Sequence, residues 1–134
     1  PMVKMKIDKS CALLLIASFG LIPIALSYGV NPELSLNYLF ELDINNVNGN
    51  HIFRAVMFLY IFNLAFWFLG VVRASYRRIA LIALSIFMLG LAMGRLLSFM
   101  LDGLPHWLLI LYFILEFSIG FSALFLITQK QNEE

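Results

Sequence analysis

The stretch Gly90-Leu-Ala-Met-Gly94-Arg95-Leu-Leu-Ser98-Phe-Met-Leu-Asp102-Gly103-Leu-Pro105 decides the fold. It opens as the end of an apolar run and closes in a tight turn, and between them it sets an arginine where hydrocarbon is expected. An ionic side chain at the centre of a membrane helix costs about 2.5–3.5 kcal/mol on insertion scales. Arg95 therefore needs a partner, and the search for that partner arranges the other helices.

Working outward, the apolar run holding Arg95 predicts a helix over 79–101, followed by the turn Asp102–Pro105 and another helix over 106–128. Two more runs, over 10–28 and 51–72, precede them. Each can cross a hydrocarbon layer of about 30 Å at about 1.5 Å per residue. Composition agrees: of 134 residues, 62% are hydrophobic and 13% charged, with a mean hydropathy of +0.91. Soluble domains are about half apolar and a quarter charged. The expected fold is all-α, an integral membrane four-helix transmembrane bundle forming one domain over 1–134.

The first run is too long for a cleaved signal peptide and should be retained. Pro23 inside it should kink the helix. Asn31-Pro32-Glu33 reads as a helix start, with Asn as N-cap and Pro at the first position. Leu34, Tyr38 and Leu42 then recur at helical spacing and predict a short amphipathic surface helix between helices 1 and 2. The asparagine-rich 43–50 reads as irregular turn, and 73–78 as a short basic loop. Pro1, ahead of Met2, reads as a cloning remnant.

Lys4, Lys6, Lys9, Arg73, Arg77, Arg78 and Lys130 all fall on one side of this arrangement, while 29–50 and 102–105 hold no Lys or Arg. That bias predicts that both termini are cytoplasmic, and it argues against dual topology. The net charge of +1 gives no reason to expect nucleic acid as a partner. Cys11 is the single cysteine, so no intramolecular disulfide or thiol metal site can form. It reads as a small apolar residue.

Arg95 and Glu116 are the charged residues well inside the spans, with Arg54 near an end and Asn63 as a further polar intruder. Helical spacing puts His51, Arg54, Ala55 and Phe58 on one stripe, Arg95, Ser98 and Asp102 on another, and Tyr112, Glu116, Gly120 and Ala123 on a third. The short turn makes the last two spans antiparallel neighbours, with Arg95 and Glu116 about 5 Å apart in depth. An Arg95–Glu116 contact is expected, with Asp102 or Arg54 completing a neutral network. Gly90 with Gly94, and Gly120 with Ala123, should let another helix approach closely. Asn63 should make an interhelical hydrogen bond. Trp67 and Tyr76 at one side, and Trp107 and Tyr28 at the other, read as interface anchors.

The stretches Asn50-His51-Ile-Phe53-Arg54-Ala55 with Tyr60, Gly94-Arg95-Leu-Leu-Ser98 leading to Asp102-Gly103-Leu-Pro105, and Glu116-Phe-Ser-Ile-Gly120 resemble a bacterial family of small four-helix membrane proteins. That family is catalogued as domain of unknown function DUF4345. The resemblance runs from the first helix to the end of the fourth and is weakest in the segment before His51. It implies a four-helix protein of the bacterial inner membrane and no particular activity.

Enzyme signatures such as Gly-x-Ser-x-Gly, a Gly-rich phosphate loop or His-Glu-x-x-His are missing. His51, His106, Asp102 and Asp43 lack metal-ligand spacing, and no metal or cofactor is expected. The leading expectation is a binding or accessory protein. Its ligand-binding or polar network would be His51, Arg54, Arg95, Ser98, Asp102, Tyr112 and Glu116, holding a lipid or amphipathic small molecule from the outer leaflet. Membrane lipids would be its partners. Two rivals remain: proton- or ion-coupled transport, which would need a homo-oligomer to line a path, and a membrane enzyme using Glu116 as acid or base on a lipid-soluble substrate.

Overall fold

The computed structural model describes residues 8–133, with side chains described to residue 129. Lys4, Lys6 and the Lys130 side chain lie outside what is described. The elements are α1 (Lys9–Gly20), α2 (Ile22–Gly29), α3 (Pro32–Phe40), α4 (Val47–Val72), α5 (Ala74–Leu101) and α6 (Trp107–Glu133). Four segments are long and apolar enough to cross a membrane: Lys9–Gly29, Val47–Val72, Ala74–Leu101 and Trp107–Gln129. The chain is an all-α, multi-pass membrane protein. Around the bundle, α1 and α2 pack on α4, α4 on α5, and α5 on α6, while the α1–α6 seam is the lightest.

The first span is two helices rather than one kinked rod. Leu21 separates them, at φ −89° and ψ −4°. Pro23 then falls in the first turn of α2, where a missing N–H leaves no hydrogen bond unmade. Asn31 caps α3 as expected, its Oδ1 accepting from Leu34 N at 3.4 Å. α3 buries Pro32 and Leu36 and leaves Leu34 and Tyr38 exposed. It lies over the end of the bundle, touching α2, α4 and α6.

Two connections are shorter than their composition suggests. The 43–50 turn ends early because Asn46 is an N-cap: its Oδ1 accepts from Gly49 N at 2.6 Å and starts α4 at Val47. The 73–78 loop shrinks to Arg73 alone, and α5 begins at Ala74. Arg77 holds that corner by donating from Nε to Gly70 O (3.1 Å) and from Nη2 to Val71 O (2.9 Å). It thus satisfies carbonyls that the end of α4 leaves without helical partners. Asp8 lies 4.0 Å from the same guanidinium.

Two of the four expected anchors are core residues instead. Trp67 is fully buried and stacks edge-on against Phe87. Tyr28 is 9% exposed, between Phe53 and Phe40 and beside Tyr60. Tyr76 and Trp107 are exposed. Asn63 spends its amide on its own helix, donating to Leu59 O at 2.8 Å rather than to a neighbour.

Small residues set the spacing between helices, because lipid-bathed bundles associate by close van der Waals packing. A Cβ on Gly120 would come within 2.8 Å of Leu89 on α5, and one on Gly70 would collide with Ala80. Ala123, one turn below Gly120, is fully buried. Gly90 and Gly94 behave differently from expectation: nothing lies within 4 Å of a Cβ built on either. Among the described residues, no helix uses their closeness. In thermal unfolding in one detergent, Gly120→Val should therefore cost about 1–3 kcal/mol through overpacking. Gly90→Ala should hold stability or raise it by about 0.4–1 kcal/mol.

Candidate functional site

The α5–α6 hairpin brings together the two spans that carry opposite charges. Gly120 lets α6 settle against Leu89, and Glu116, one turn earlier, then reaches across to Arg95. The contact is a fork: Arg95 Nε donates to Glu116 Oε2 at 2.7 Å, and Nη2 donates to Oε1 at 2.9 Å. A bidentate, charge-assisted pair is the strongest form available to these groups. Side-chain exposure is 19% for Arg95 and 8% for Glu116.

Aromatic rings surround the fork. Arg95 Cζ lies 5.7 Å from the Tyr112 ring centroid, within the range of a cation–π contact. Tyr112 meets Phe40 of α3 edge-on at 5.9 Å. Tyr28 approaches both Arg95 and Tyr60 through its hydroxyl. α3 and the end of α2 thus close the bundle over the ion pair with rings.

The remaining predicted residues separate from this centre. Arg54 does not join the ionic set; its Nη1 donates to Gly29 O at 2.8 Å and to Val30 O at 3.3 Å, capping α2. The C-terminal carbonyls carry partial negative charge and attract the cation. Asp102 also stands apart from Glu116, accepting from Ser98 Oγ at 2.6 Å. The network is therefore a closed pair with a hydroxyl–carboxylate contact above it on α5. His51 is exposed and shares an open face of α4 with Arg54 and Phe58. His106 accepts from Leu108 N through Nδ1 at 3.2 Å and caps the start of α6. Among the described residues, no group of His, Cys, Asp and Glu could hold a metal ion.

Two apolar openings reach the pair from the sides of the bundle. A groove of about 460 Å³ between α4 and α5 is lined by Gly90, Gly94, Leu59 and Phe87, with Tyr28, Arg95 and Ser98 contributing its polar atoms. A crevice of about 170 Å³ in the α1–α6 seam runs from Gly20 and Leu21 to Glu116 and Tyr112. Tyr28, Phe40 and Phe53 were not legible as part of this site. Tyr28 and Tyr60 lie on different helices and meet, with ring centroids 5.5 Å apart, only through the α2–α4 packing, which no local pattern encodes.

Four apolar spans around one bidentate ion pair define a small polytopic membrane protein. The chain belongs to the family described as Domain of unknown function (DUF4345), whose model matches residues 11–127. No curated protein and no solved structure matches it.

Breaking a buried pair from one side leaves an uncompensated charge and costs about 3–5 kcal/mol, whereas replacing both partners with apolar residues is often neutral. Arg95→Leu alone should lower thermal stability in detergent by that order, and Arg95→Leu with Glu116→Leu should recover most of it. Asp102→Asn, at an exposed carboxylate, should stay within about 0.5 kcal/mol of the parent.

Proposed function

We propose that the protein binds a lipid or other amphipathic molecule beside the Arg95–Glu116 pair. One observation carries this reading: the pair is buried against water but approached laterally from two apolar openings, one ending at Arg95 and the other at Glu116. A pair serving helix register alone needs no such access. Ionisable groups inside a membrane protein mark functional sites by default, and a mostly apolar cleft with a few converging polar groups is the usual form of a small-molecule site.

Lys9, Arg73, Arg77 and Arg78 gather at the end opposite α3. By the positive-inside rule we read that end as cytoplasmic, which puts the ion pair in the leaflet facing away from the cytosol. A bacterial inner membrane is the setting that fits. Arg95 holds both Glu116 oxygens, so an acid–base role for that carboxylate gains no support from the geometry.

Native mass spectra of protein extracted in a mild detergent test the proposal. The expected result is a bound amphiphile on the parent chain and none on the folded Arg95→Leu, Glu116→Leu double variant. A parent chain that is empty under every mild condition would overturn it.

A further inference from the structure

The geometry points to a zwitterionic aminophospholipid as the occupant of the α4–α5 groove, with its phosphate at Arg95 and Ser98, its ammonium at Asp102, and one acyl chain along Gly90 and Gly94. This rests on the binding role proposed above and names the ligand class for it. The groove has the elements such a molecule needs, in order. Arg95, Ser98 and Asp102 share one stripe of α5, with Arg95 deepest and Asp102 at the helix end. Positive charge, hydroxyl and negative charge thus follow one another towards the membrane surface. A phosphoethanolamine headgroup presents the complementary sequence, phosphate below and ammonium above.

Arg95 spends Nε and Nη2 on Glu116. The Tyr28 hydroxyl also approaches this guanidinium; a guanidinium carries five N–H donors, so donors remain for a phosphate, to which it is suited. Ser98 keeps a hydroxyl oxygen that can accept or be displaced from Asp102. Asp102 uses Oδ2 on Ser98, and among the described residues no cation pairs with it. Its charge is what favours a zwitterion over an anionic lipid. Glu33, Glu41 and Asp43 lie at the same end of the bundle, with Arg54, His51 and His106 as the basic residues there. A headgroup of net negative charge meets this acidic rim unfavourably, and one with an ammonium does not.

Below the charges, the groove is apolar and open. Val56, Leu59, Phe87 and Leu91 form its walls. Gly90 and Gly94 form its floor on α5, with nothing within 4 Å of a Cβ at either position. A Cβ at either position enters open space on the groove side, so a larger side chain there should block the site while the fold is kept.

The test uses the full chain in nanodiscs containing equal parts phosphatidylethanolamine, phosphatidylglycerol and phosphatidylcholine, followed by native mass spectrometry of retained lipid. Phosphatidylethanolamine should be retained about fivefold over phosphatidylglycerol. Asp102→Asn should bring that ratio near one while keeping lipid bound. Gly94→Leu and Gly90→Leu, both of parental thermal stability, should lose retained lipid. Equal retention of phosphatidylglycerol by the parent, or an unchanged ratio in Asp102→Asn, would overturn the zwitterion assignment and leave the binding role standing. Undiminished retention by both glycine variants would overturn the groove as the seat. A parent chain retaining no lipid at all would overturn both this inference and the binding role.

Discussion

The Arg95–Glu116 fork is the contact on which the arrangement of the spans depends. Neither charge is tolerable alone in hydrocarbon, and the short Asp102–Pro105 turn leaves each the other as its nearest partner. The pair sets the rotation of both helices, since a side-on fork requires α5 and α6 to face each other at these residues. It also sets their separation, which Gly120 against Leu89 makes attainable. A buried pair of this kind adds little net stability compared with apolar packing. Its contribution is to specify one rotation and one register for the hairpin.

The other cations in and beside the spans are managed differently. Arg54 and Arg77 each turn back onto the carbonyl end of a helix, α2 and α4 respectively. Both ends of the bundle are thereby closed by an arginine that satisfies carbonyls which the lipid could not. That device fixes α2 to α4 at one end and α4 to α5 at the other. It leaves the α1–α6 seam without an equivalent, and the crevice that reaches Glu116 opens there.

Much of this is legible in the chain. The spans follow from apolar run length, and the fork follows from charge cost plus one short turn. What could not be read was which partner a polar group would choose when several lay within reach. Charge balance favoured Asp102 and Arg54 for the ionic set. Ser98, one turn away on the same helix, takes Asp102, and the carbonyls that end α2, brought beside α4 by tertiary packing, take Arg54. Asn46 and the stretch 74–78 differ for a related reason: asparagine and basic residues mark loops by composition, yet Asn46 caps α4 and 74–78 opens α5, leaving Arg73 as the loop's single residue. Tyr28 and Trp67 looked like interface anchors from their positions near run ends. The break at Leu21 and the packing of α2 on α4 carry Tyr28 inward, and no one-dimensional pattern contains that packing.

The Gly90–Gly94 pair is the most informative of these differences. A small-xxx-small pattern states that close approach is allowed and does not say what approaches. At Gly29, Gly70 and Gly120 the answer is another helix of this chain, since a Cβ at each would strike Met57, Ala80 or Leu89. At Gly90 and Gly94 none of the described residues arrives. Glycine inside a helix is less favourable than alanine by about 0.8–1.0 kcal/mol, and these two positions receive no packing in exchange. They lie one turn apart on the same helix that positions Arg95, and they line the groove in which its guanidinium is exposed. On the binding role proposed above, their missing side chains leave room beside Arg95 for a molecule slender enough to lie along a helix and polar enough at one end to meet a guanidinium.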